Sequence, residues 1–395
     1  MKKILTLILC AGTLMSVNAQ SSLVKEANDK LKKKNYTEAR AIIQEAIAQD
    51  SQNPEVFFTA GKIEMDSYDN GKKAKGFDPN VPSGDNDVLG NELLSAYKYF
   101  SQAIPLAVTD QKIRKEISKS LSNHYEDFFN IGGGFYQNKK YYPEAYQAFM
   151  IYGDLPEQGL LEKNIVVMPE QLATSFFNAG LAAYSGNAVD ESAEAFKKAR
   201  LAGYDQPESY IYEIACWQYI AQNDESRAKE AQDNITVIAE VGNDKFGLEQ
   251  PVFLNNLINN YVINGDFDQA LAKLNPIIDA NPENPALYGL RGFVFDRMGN
   301  DDNSEADYRK AASFPDTDFE TLKNISKKLF LIGTSKLNNV EGTSPEAIAE
   351  RENIKVNYFQ AAKSIAEKAA QTNPNDPDLN HVLDSIDYAL TTYFN

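Results

Sequence analysis

The stretch Pro251–Pro282 reads PVFLNNLINNYVINGDFDQALAKLNPIIDANP. Its apolar residues Leu257, Ile258, Tyr261, Phe267, Leu274 and Ile277 recur at the three- and four-residue spacing of one helix face, on either side of Gly265. Gly265 permits a tight turn at that point, and the small Ala270 lets the two helices it separates approach closely. Pro282 then ends the second helix. The segment is therefore a pair of antiparallel helices with one apolar face each, and such a pair cannot bury that face alone.

Other segments carry the same spacing. Between Ala173 and Gly203 the matching residues are Phe176, Gly180, Ala183, Asn187, Val189, Ser192, Phe196 and Ala199. Near the start, Ala27, Tyr36, Ala39, Ile43 and Ala46 follow it, and Tyr142, Ala145, Phe149 and Tyr152 supply the second helix of another unit. Between Pro285 and Ser313, Tyr288, Gly292, Phe295 and Gly299 match the first helix, with two extra residues expected among Asp301 to Ser304 before Ala306. Asn-Pro pairs at 53–54, 281–282 and 373–374 punctuate the chain. The segment 208–241 is a divergent unit in which Tyr210, Ile214 and Trp217 share one face, 320–340 and 345–371 form a longer closing pair, and 377–393 a cap.

In these residues and this period of about 34, the chain resembles the tetratricopeptide-repeat family. The resemblance implies an all-α, right-handed superhelical solenoid of about six or seven helix pairs with a C-terminal capping helix. The overall layout is similar to that of the large secreted tetratricopeptide proteins of Gram-negative bacteria, including an aromatic, glycine-rich helix junction at 128–136. One insertion is expected: helix 55–68 meets Asp69 to Gly90, a loop carrying Gly71, Gly76, Pro79, Pro82, Gly84 and Gly90.

The N-terminus has the pattern of an export signal. Lys2 and Lys3 precede an apolar run from Ile4 to Val17 that closes on Val17-Asn18-Ala19, so residues 1–19 are read as a signal peptide and 20–395 as the solenoid, with 317–395 its closing pair and cap. Fourteen helical residues span about 21 Å, short of the roughly 30 Å hydrocarbon core. Leu9 precedes Cys10, where a lipoprotein signal wants a small residue, and Cys216 is then the one cysteine left, so stability is expected from packing alone. A formal charge of −17 repels phosphate backbones and anionic lipid headgroups, which argues against nucleic acid and membrane surfaces as partners.

Residues for catalysis are scarce. The chain has two histidines, His124 and His381, too few with Cys216 for the usual zinc site. Cys216 lies between Ala215 and Trp217 in a helical pattern that predicts a buried, inert thiol. Gly132-Gly133-Gly134 is followed by Phe135-Tyr136 rather than the Lys-Ser/Thr of a phosphate loop. The clusters 85–87 and 300–303 lack the ligand ladder of a calcium loop, and the adjacent carboxylates Glu126 and Asp127 point about 100° apart on a helix. No catalytic, cofactor or metal site is expected.

The resemblance places a recognition groove on the first helix of each pair. Projected through the spacing, its residues are Asn28 and Leu31; Phe177, Leu181 and Tyr184; Asn255, Asn259 and Val262; and Phe293, Asp296 and Arg297. The family's carboxylate clamp pairs a lysine with an asparagine four residues on, but Val24 and Asn255 occupy the lysine positions here, so that clamp is not expected. The function expected is a non-catalytic scaffold of the periplasm or cell surface that binds segments of envelope or outer-membrane proteins. The alternative is a glycan- or nutrient-binding accessory at the outer membrane, which would need a tyrosine or tryptophan platform on an exposed face.

Overall fold

The computed structural model describes residues 21–75 and 90–394; the expected signal peptide and residues 76–89 of the expected insertion lie outside them. The chain divides into two compact units, Met1–Asn234 and Ile235–Asn395. Among the described residues there is no strand.

The first unit holds α1 (residues 21–32), α2 (Tyr36–Gln49), α3 (Pro54–Lys75), α4 (Asn91–Leu106), α5 (Gln111–Asn123), α6 (Tyr125–Gln137), α7 (Tyr142–Asp154), α8 (Pro169–Ser185), α9 (Val189–Leu201) and α10 (Glu208–Asn223). The boundary falls inside α11 (Ala228–Phe246). The second unit continues with α12 (Pro251–Asn264), α13 (Phe267–Ala280), α14 (Pro285–Arg297), α15 (Asp301–Ala312), α16 (Phe319–Asn338), α17 (Pro345–Ile354), α18 (Ala361–Ala370) and α19 (Pro377–Tyr393). Proline opens α8, α12, α14, α17 and α19, where its fixed φ suits the first turn and its missing N–H costs nothing.

Consecutive helices pack as antiparallel pairs because each presents one apolar stripe. In the first unit α3 packs on α4, α6 on α7 and α8 on α9; in the second, α12 packs on α13, α14 on α15 and α16 on α18. One device recurs within the pairs: a glycine on the first helix faces an aromatic ring on the second. A Cβ on Gly180 would lie 2.6 Å from the Phe196 ring, and one on Gly292 would lie 2.8 Å from Tyr308. Both rings are buried, which stabilises each pair by roughly 1.5–3 kcal/mol per ring.

That device corrects the expected two-residue insertion at 301–304. Gly292 and Tyr308 have the same separation as Gly180 and Phe196, so the second repeat has no extra residues. Buried Ser304, not Ala306, takes the close-approach position held by Ser192 and Ala270. Asn300 caps α15 by accepting from the Asn303 N–H at 3.3 Å, so 301–304 are its first turn.

Two other expectations change. The glycines 132–134 do not form a junction: they lie within α6, where Gly132 takes the Phe149 ring of α7 against its bare Cα. Helix α3 does not stop at Tyr68 but continues through Asp69, Asn70 and Gly71 to Lys75. A helix absent from the repeat pattern, α5, packs on α3 and α4 through Ile113, Ile117 and Leu121.

The closing pair departs from the repeat by its length. Between α17 and α18 the helix widens into a π turn at Lys355–Gln360, beside Gly333 of α16, whose Cβ would lie 2.6 Å from that of Tyr358. Arg309 of α15 donates to the Asn357 carbonyl at 2.7 Å, satisfying backbone inside the turn, and the Tyr358 hydroxyl donates to Glu305 at 2.7 Å.

Candidate functional site

In the first unit two clefts open beside first helices of pairs. The smaller, about 290 Å³, lies among α1, α3 and α5 and is lined by Leu31, Lys62, Met65, Asp66, Asp69 and His124. Asp66 accepts from Lys34 at 2.6 Å and from the Tyr36 hydroxyl at 2.9 Å, so this wall is pinned to the turn between α1 and α2. Across the cleft, Nε2 of His124 lies 2.9 Å from Oδ1 of Asp69, and Nδ1 lies 2.8 Å from the Ser120 carbonyl oxygen.

The second cleft, about 330 Å³, lies between α8 and α10, and every lining residue is uncharged: Tyr184, Asn187, Val189, Ala215, Gln218, Tyr219 and Gln222. Tyr184 is 50% exposed and Tyr219 55% exposed, whereas most aromatic rings among the described residues are buried or half-buried. Both rings carry hydroxyls that hydrogen-bond while the ring face takes apolar groups, and the amides both donate and accept. This combination suits an extended polypeptide, whose backbone offers alternating N–H and C=O groups.

The other expected groove residues divide. Phe177 stacks on Tyr204, with ring centres 4.4 Å apart, and packs with Leu181 against the cluster around Phe196, so these two support the α8–α10 wall from within. Asn28 is folded back, donating to the Val24 carbonyl of its own helix at 2.9 Å, while Leu31 reaches the first cleft. In the second unit Asn255 and Asn259 are both exposed on α12, which packs on α14. Val262 is not a groove residue: it is 5% exposed and joins Ala270, Leu274 and Leu287 in the core. Phe293 is half-buried against that core, Asp296 is paired with Lys328 of α16, and Arg297 is exposed.

Sequence reasoning missed two larger clefts. One of about 790 Å³ lies between α4 and α7, where Tyr97, Tyr146 and Met150 meet Lys98, Glu144 and Asp154. The other, about 620 Å³, lies among α16, α17, the π turn and α19; Arg351, His381 and Asp384 share it with Phe330, Tyr388 and Tyr393. Neither follows from the repeat spacing: the first joins the second helices of two pairs, and the second is formed by the closing helices, which depart from the repeat.

Three polar groups at the α8–α10 packing are engaged in buried contacts. The Cys216 thiol is fully buried, donates to the Ser192 hydroxyl at 3.4 Å, and is pushed up by that burial. Ser192 in turn donates to the Gly180 carbonyl at 2.9 Å. Glu213 is buried on α10 and raised by desolvation, with Arg200 of α9 opposing the rise through contacts at 2.9 and 3.3 Å.

Comparison with known proteins gives a match between residues 256–318 and the tetratricopeptide-repeat family model. Yeast Tom70 is similar in structure at 15% identity, over 95% of this chain and 89% of that one, with a TM-score of 0.32. A tetratricopeptide-repeat protein of Bacteroides fragilis is similar at 16% identity over 68% of this chain and 97% of its own, with a TM-score of 0.29. PilF of Pseudomonas aeruginosa is similar at 17% identity over 68% and 94%, with a TM-score of 0.23. No curated protein matches the chain. The repeat model is seated on α12 to α15, and the glycine-on-ring packing of α14 and α15 recurs at the same spacing in α8 and α9, so the segment 256–318 is a tetratricopeptide-repeat segment and α8 and α9 repeat its packing.

Proposed function

We propose that this protein is a non-catalytic interaction scaffold of the periplasm or cell surface that binds a segment of another envelope protein. Tetratricopeptide helix pairs are an interaction scaffold, and the observation that carries the reading here is the uncharged α8–α10 cleft with its two half-exposed tyrosines. The charged pattern of Lys2 and Lys3 before an apolar run supports export. The test is proximity labelling in the native cell with wild type and with Tyr184→Ala/Tyr219→Ala. The reading expects specific envelope proteins that the double variant loses while its helicity is unchanged; an identical labelled set would sink it.

A second reading, binding of a glycan, is favoured by one observation. Tyr388 and Tyr393 are 65% and 58% exposed at the 620 Å³ cleft, beside side chains able to hydrogen-bond sugar hydroxyls. A glycan array with no ligand removes this reading and leaves the first intact.

A further inference from the structure

Asp69, Asn70 and Gly71 are poor helix formers, yet α3 runs straight through them. Two contacts hold this extension against the corner between α5 and α6. Lys72 pairs with Asp127 at 2.6 Å, and Asp69 faces His124 at 2.9 Å. The second contact has a chemical requirement. Nδ1 of His124 faces a carbonyl oxygen, which only accepts, and Nε2 faces a carboxylate, which accepts when ionised. Both ring nitrogens must therefore carry hydrogen, and the ring that fits is the imidazolium.

We propose that protonation of His124 controls the end of α3: the charged ring winds residues 69–75 onto the α5–α6 corner, and the neutral ring releases them. Asp69 and His124 both line the α1–α3–α5 cleft, so the same event reshapes that wall. In that respect the proposal deepens the scaffold reading and rests on it; the helix transition itself does not. The titratable groups that line the cleft with His124 are Lys62, Asp66 and Asp69 from α3 and Glu116 and Lys119 from α5; the Tyr68 ring of α3 meets the imidazole edge-on, and the Lys72–Asp127 pair joins α3 to α6 nearby. Burial pushes the Tyr68 phenol up, so it stays neutral, and the remaining groups are carboxylates and lysines. Histidine is the side chain whose charge changes across neutral pH.

The test is hydrogen–deuterium exchange of the full chain at about pH 5.5 and about pH 8, with rates corrected for intrinsic exchange. Residues 69–75 should lose protection by about tenfold at the higher pH, while residues 54–66 hold theirs. In Asp69→Asn the amide both accepts from the charged ring and donates to the neutral one, so protection should persist and the pH step vanish. Equal corrected protection at both pH values in wild type overturns the proposal, as does an undiminished step in Asp69→Asn. Either failure leaves partner capture by the α8–α10 cleft untouched, and loss of partner capture leaves the exchange step untouched.

Discussion

Gly132 of α6 faces the ring of Phe149 of α7 so closely that a Cβ would sit 2.8 Å from its Cε1. Its neighbour Gly133 has open space there, with nothing within 4 Å. The two glycines lie in one helix and differ in what they pack against, so their alanine variants should move stability in opposite directions. Gly132→Ala forces the ring away and should destabilise by about 1–3 kcal/mol. Gly133→Ala should stabilise by about 0.5–1 kcal/mol, because alanine loses less backbone freedom in a helix. Urea denaturation of both variants checks this, and equal losses would contradict the packing role of Gly132.

Arg200 and Glu213 form an ion pair whose side chains are 11% and 1% exposed. Arg200→Met leaves the carboxylate buried without its partner and should cost about 3–5 kcal/mol at neutral pH. The pH dependence has a definite sign. Burial raises Glu213, so the folded state holds its proton more tightly than the unfolded state does. Stability from that group is present below the unfolded value and is lost as pH rises through the folded one. The loss in Arg200→Met should thus shrink as pH is lowered from about 8 toward 5, read by thermal unfolding at each pH.

Cys216 is buried, and its thiol is pushed up by desolvation. A thiol reagent at neutral pH should leave it unmodified in the native chain and modify it on denaturation, since the thiolate is the reacting form. Rapid labelling without unfolding would place the thiol in a reactive rather than a packing role.

Asn255 and Asn259 sit exposed on one face of α12, whereas Val262 is packed beneath. Asn255→Ala/Asn259→Ala should change stability by less than about 0.5 kcal/mol per site. Val262→Ala should cost more, roughly 1–3 kcal/mol, by leaving a cavity among Ala270, Leu274 and Leu287. Thermal unfolding distinguishes the two, and a large loss from the asparagine pair would remove them from any recognition surface.

The amino-acid sequence by itself determined that this chain is helical, paired and repetitive. Those properties are local: the three- and four-residue recurrence around Gly265, the small residue at Ala270 and the prolines that open α8, α12 and α14 all act within one pair of helices. The close aromatic contact of Gly180 is likewise encoded at a fixed distance along the chain, which is why the Ala173–Gly203 copy could be aligned. Tertiary structure decided what depends on partners remote in sequence. Asp69 and Lys72 each meet partners 55 residues away, and these contacts wind Asp-Asn-Gly into a helix against its own propensity. Val262 carries the groove spacing yet is buried, and Tyr97 and Tyr146 form a cleft that no period connects. Periodicity states which face of a helix is apolar; only packing states what that face, and the opposite one, will touch.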